Sequence, residues 1–123
     1  MVHTDMDAER AYDDARFGAQ VVQESERSKT VCAYFEPGQF IPVHAPNSDV
    51  TVAVQSGTGV VRDGDTEHEV EPGDVVVVPA GTDRGVRAAA DGRLEALLVT
   101  APPPGDAAHE PVREGIRTDT FDP

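Results

Sequence analysis

The side chains equipped for chemistry are few. The histidines are His3, His44, His68 and His109, the one cysteine is Cys32 and the one lysine is Lys29. His44 closes the apolar stretch Phe40-Ile41-Pro42-Val43, where its imidazole can serve as a general base near neutral pH. Arg84 follows the turn Pro79-Ala80-Gly81, at a rim where short turns present side chains to a cavity. There its guanidinium can take a carboxylate or phosphate in bidentate fashion. It can equally pair with Asp49 or Asp83 and close that rim. His68 shares strand parity with Val70, so it is either a second inward imidazole or a rim histidine. Tyr34 offers a phenol to the same interior or packs between strands. Cys32 lies in the apolar run from Thr30 to Phe35 and reads as a small buried hydrophobe. His3 and His109 lie in the terminal segments and receive no role.

These side chains need strands to position them, and the sequence supplies strand signals in series. Val75 to Val78 stand between Pro72-Gly73 and Pro79-Ala80-Gly81, and read as a short strand buried on both faces. Further strands are expected over Gln20–Gln23, Thr30–Phe35, Phe40–His44, Val50–Val54, Gly59–Arg62, Glu67–Val70, Arg84–Ala88 and Leu94–Val99. Pro42 marks an edge or a bulge, because it cannot donate to a ladder. Asp63-Gly64-Asp65 is a hairpin turn, and Asp91-Gly92 reads as another. The recurrence of turns points to an antiparallel all-β sandwich or barrel of about eight to nine strands. Residues 1–17 form an arm or a short helix, with Ala8, Ala11, Tyr12 and Ala15 at helical spacing and Thr4 or Asp5 as cap. Residues 18–100 form the barrel, and residues 101–123 a polar tail that is draped over it or disordered.

With this frame the chain resembles a small single-domain cupin, a double-stranded β-helix of the jelly-roll type. Gly38 and His44, with five residues between them, match the start of the first family motif, and Gly57 stands at its closing glycine. Gly73, followed after five residues by Pro79-Ala80-Gly81, matches the second. In the family, two histidines and a glutamate of the first motif join a histidine of the second around one metal. Carried over residue by residue, only His44 is kept. The second histidine position is Pro46, and the glutamate position falls on Val50, with Asp49 one residue early. The second-motif histidine is Arg84 and the asparagine is Ala88. A guanidinium cannot give up its proton and would repel a cation. The expectation is therefore no cofactor and no metal; were a divalent metal present, His44 and Asp49, with His68, would be its ligands. The resemblance also implies a homodimer.

Composition narrows the rest. The formal net charge is −13, with 23 Asp and Glu against 10 Lys and Arg. Such a chain repels phosphate backbones, so neither nucleic acid nor an anionic membrane is an expected partner. Only 38% of the residues are hydrophobic and none is tryptophan, so the core must be built mainly of Val and Ala. A single cysteine excludes an internal disulfide and points to a reducing compartment. With no apolar run long enough for a bilayer and no signal peptide, a cytoplasmic location is expected.

Three functions compete. One is a metal-free barrel binding a small anionic, carboxylate-type ligand through His44, Arg84, Tyr34 and His68. Another is an enzyme: a metal-free isomerase or lyase using His44 and Arg84, or a metal-dependent dioxygenase using His44 and Asp49. The third is a homodimeric scaffold. The acidic surface serves solubility or adaptation to molar salt, where charges are screened within about 3 Å. The near-absence of lysine and the spread of acids along the chain favour salt adaptation. The thermal midpoint should then rise between dilute buffer and molar KCl, and a midpoint that stays level or falls would contradict it.

Overall fold

The computed structural model describes residues 1–123. Nine strands follow a short helix, in the order β1 (Gly18–Glu24), β2 (Lys29–Phe35), β3 (Phe40–His44), β4 (Asp49–Gly57), β5 (Gly59–Asp63), β6 (Thr66–Val70), β7 (Val75–Val78), β8 (Arg84–Ala88) and β9 (Leu94–Ala101). They form two antiparallel sheets. The larger has the order β1-β2-β9-β4-β7 and the smaller β3-β8-β5-β6. Their inner faces enclose the core, and side-chain parity along each strand decides what enters it. In the larger sheet Lys29, Thr100, Val50 and Val78 form one row across neighbouring strands, and Val31, Leu98, Val52 and Val76 the next. Deeper in, the core closes around Ala33, Ala96, Phe35, Leu94 and Val54, with Val61 and Val86 from the smaller sheet.

Two features differ from the sequence expectation. The Asp91-Gly92 turn joins β8 of the smaller sheet to β9 of the larger one, so it is a crossover between layers and not a hairpin. The valine strand β7 is the edge strand of its sheet. Val76 and Val78 face inward, while Val75 and Val77 stand 60% and 59% exposed, so this strand has one buried face and one open face. A run of valines cannot by itself distinguish an edge strand from a central one. Pro42 behaves as its chemistry requires: β3 is the edge of the smaller sheet, and its register with β8 is interrupted between Ile41 and His44.

Both terminal segments pack on the barrel. At the N-terminus only Met6–Glu9 is helical (α1), capped by Asp5, whose Oδ1 accepts from the Ala8 amide at 2.7 Å. The helical spacing does not propagate through Ala11, Tyr12 and Ala15, because this arm is held as a strap over the outer face of the larger sheet. Arg10 and Tyr12 both bond Glu95 of β9, at 2.7 and 2.6 Å. Burial alone would raise the Glu95 carboxyl, but these two donors outweigh it and hold it low. At the C-terminus a 3-10 turn over Asp106–His109 leads into helix α2 (Glu110–Arg117), which docks on β3. Gly115 lets the helix approach Pro42 so closely that a Cβ would lie 2.5 Å from its ring. Beyond the helix, the Phe121 carbonyl accepts the Val43 amide at 2.7 Å, so the tail also covers the open edge of β3. No helix is long and apolar enough to cross a membrane.

Gly57 ends β4 with φ of +79°, and a Cβ there would lie 1.8 Å from the Arg93 carbonyl oxygen. Gly73 has φ of +95° but open space around it. Gly73→Ala should therefore cost about 1–2 kcal/mol, the left-handed backbone penalty alone. Gly57→Ala adds a backbone clash and should cost clearly more. Urea unfolding of the two variants measures the difference, and equal losses would contradict the packing described for Gly57.

Candidate functional site

The inward rows of the two sheets leave a cavity of about 310 Å³ between them. His44 and Arg84 line it together, as cross-strand partners on β3 and β8. The irregular register around Pro42 sets His44 opposite Arg84, at the end where the β3–β4 loop begins. Its Nδ1 lies 2.8 Å from the Pro42 carbonyl oxygen, which can only accept, so Nδ1 carries the proton and Nε2 is left as the acceptor. Burial pushes the imidazole below its usual value; the Pro42 carbonyl opposes this, and the charges of Arg84 and His109 add to it. His44 is thus a neutral base with a fixed tautomer.

Arg84 is 6% exposed. Its Nη2 donates to the carbonyls of Pro46 (3.2 Å) and Ser48 in the β3–β4 loop. Its Nε and Nη1 are buried with no partner, and no carboxylate lies within ion-pair distance. Burial draws its pKa down, with Asp49 opposing only at longer range. The expected pairing with Asp49 or Asp83 does not form. Asp49 lies on the outward parity of β4, and its Oδ1 accepts from the Ala80 amide at 2.9 Å. Val50, one residue later, is the side chain that faces the cavity.

The other two anticipated ligand contacts are not on the cavity wall. Tyr34 has the parity of Cys32, opposite to Val31 and Ala33, and so lies on the outer face of the larger sheet. There its hydroxyl donates to the Met6 carbonyl at 2.7 Å, and its ring meets Tyr12 edge-on at 5.7 Å. It anchors the N-terminal strap. His68 has the inward parity of its partner Val61, but β6 is an edge strand beyond the cavity. Its side chain is 43% exposed, with Nε2 3.4 Å from Asp63 Oδ2.

Lys29, Thr100 and His109, which the sequence left without a role, also line the cavity. Lys29 and Thr100 are cross-strand partners in the outermost inward row. The inward parity of Val31, Ala33 and Phe35 carries a signal for Lys29; none exists for His109, which arrives with the docked tail. Burial, then the charges of Lys29 and Arg113, hold the His109 imidazole low. None of the chain's 23 acidic residues lines the cavity, whereas Arg16, Lys29, Arg84 and Arg113 do.

This donor set does not fit a divalent cation. No three His, Cys, Asp or Glu side chains converge anywhere in the fold. Asp49 and His68 are directed elsewhere, and a permanent cation stands at the position where the resemblance calls for a histidine.

The two cavity imidazoles also set a pH dependence. In the folded chain they take up protons less readily than in the unfolded chain, where a histidine titrates near 6.5. Stability contributed by these groups is therefore complete above about 6.5 and is lost as pH falls through their lower folded values. Replacing both, as His44→Gln with His109→Gln, should flatten the decline in thermal midpoint just below that pH, ahead of carboxylate titration. An unchanged slope would contradict their burial as neutral groups.

Comparison with known proteins agrees with the fold. The cupin domain model matches residues 32–100. TT1209 from Thermus thermophilus superposes with a TM-score of 0.80 at 32% identity, over 85% of this chain and 100% of that one. An RmlC-like cupin protein from Desulfovibrio desulfuricans gives 0.67 at 38% identity, over 76% and 90%. An uncharacterized conserved protein with a double-stranded β-helix domain from Klebsiella pneumoniae gives 0.75 at 24% identity, over 81% and 89%, and supports the fold alone. No functionally curated protein matches the chain. With both motif turns, the two-sheet barrel and these relatives in agreement, the chain belongs to the cupin family.

Proposed function

We propose that the barrel binds a small carboxylate, without a metal, through Arg84 and His44. The observation that carries this reading is the Arg84 guanidinium, 6% exposed, lining the cavity with Nε and Nη1 unpaired. A buried cation with no counter-anion is costly, and a carboxylate that supplies two acceptors would relieve that cost. Both nitrogens are covered, so engagement requires the guanidinium to turn on its aliphatic stem. The acid-free lining supports the same sign of ligand. Apolar walls from Val50, Val52 and Leu98 would exclude water around the pair and strengthen it.

A second reading, a metal-free isomerase or lyase, is favoured by the state of His44. With Nδ1 held by Pro42, the free Nε2 is an acceptor that could remove a proton from carbon beside a bound carboxylate. Arg84 would then hold the carboxylate while charge develops next to it.

Thermal-shift and calorimetric titration with millimolar carboxylates test the binding reading. The wild type should be stabilised, and Arg84→Met should abolish the shift; circular dichroism checks that the variant is folded, because the change removes an uncompensated charge but also the hydrogen bonds to the Pro46 and Ser48 carbonyls. His44 can donate to the carboxylate only by taking up a proton at Nε2, so His44→Ala should weaken binding by at most roughly tenfold, and more at low pH than at high pH. If no carboxylate shifts the wild type, the anion site is wrong and the homodimeric scaffold gains.

A further inference from the structure

Resting on that reading, we infer that the ligand is an aliphatic dicarboxylate, its first carboxylate held by Arg84 and its second by Lys29 and Thr100. Arg10, Arg62, Arg93, Arg113 and Arg117 each pair with an acid on the surface. Arg16 and Arg87 lie instead over the Phe17 and Phe121 rings, and Arg27 is exposed. Lys29 is the sole lysine, half-buried, directed inward from β2, and makes neither an ion pair nor a side-chain hydrogen bond. Arg16 also lacks an ion pair but lies over the Phe17 ring, which leaves Lys29 and Arg84 as the cavity cations with neither a counter-ion nor a ring against them.

They belong to different walls. Arg84 and His44 come from the smaller sheet, at the β3–β4 loop. Lys29 and its cross-strand partner Thr100 come from the larger sheet, at the β2–β9 side. His109 on the tail lines the same cavity. Beneath these two poles the wall is hydrocarbon: Val31, Val52, Val61, Val86 and Leu98. A ligand matching this layout carries negative charge at each end and methylene groups in the middle. A monocarboxylate would leave one cation uncompensated. A sugar acid would strand its hydroxyls against valine and leucine, where they find no partner. The Thr100 hydroxyl adds a donor beside the Lys29 ammonium, which suits a carboxylate with two oxygens to satisfy.

The test is calorimetric titration of the full chain with butyrate and valerate against succinate, glutarate and adipate. On the wild type, one of the dicarboxylates should bind roughly tenfold or more tighter than the monocarboxylates, the effect of one added charge-assisted contact. Lys29→Met should bring the dicarboxylates to within about twofold of the monocarboxylates while leaving monocarboxylate affinity unchanged. Lys29→Arg should keep the preference, which separates loss of charge from disturbance of β2. Circular dichroism confirms that each variant is folded. Equal binding of mono- and dicarboxylates to the wild type would overturn the dicarboxylate assignment and leave the Arg84 site standing. A preference that survives in Lys29→Met would overturn the role of Lys29. Absence of binding by every carboxylate would overturn the anion site itself, and this inference with it.

Discussion

The constraint on which this molecule turns is the burial of one guanidinium without a counter-ion. Arg84 is tied through a single nitrogen to the carbonyls of Pro46 and Ser48, so the cation fixes the β3–β4 loop while its Nε and Nη1 stay unpaired. Ser48 is in turn buried, with its hydroxyl donating to the Pro102 carbonyl at 2.5 Å. The loop that forms one lip of the cavity is thereby linked to the start of the C-terminal tail. A divalent cation and a permanent positive charge cannot share this position, whereas an anion and that charge can. The turns close a cupin barrel, and in the proposed reading the side chain at the rim reverses the charge its interior would accept.

The distribution of charge reinforces this. The surface is strongly acidic and the cavity wall contains no acid, so the protein as a whole repels the ligand that its interior would attract. The two effects act over different distances. Repulsion by the surface is long-ranged and is screened within about 3 Å at molar salt. Pairing inside a valine-lined cavity is short-ranged and little screened. Acidity and anion binding are therefore compatible, and most so in concentrated salt.

Much of the fold was legible because its signals are local. The glycine-proline turns, the position of Pro42 on an edge and the Asp63-Gly64 hairpin each follow from the chemistry of a few adjacent residues. What was not legible depends on neighbours distant in sequence. Val75 and Val77 look buried until the sheet order places β7 at an edge. Tyr34 falls on the outer face by parity, but only the strap carrying Met6 and Tyr12 explains how a tyrosine can be buried there. In the site, His44 and Arg84 stand out by type and spacing, and Lys29 was readable from strand parity. His109 was not, because the tail reaches the cavity through the contact of Gly115 with Pro42, which no local pattern encodes.

The most direct measurement is a crystal structure of the wild-type protein grown with glutarate. One carboxylate should lie in the cavity with an oxygen accepting from Arg84 Nε or Nη1, and the other should be directed to Lys29. Glutarate bound elsewhere, or a cavity that stays empty while Arg84 keeps both nitrogens unpaired at saturating ligand, would contradict the carboxylate site.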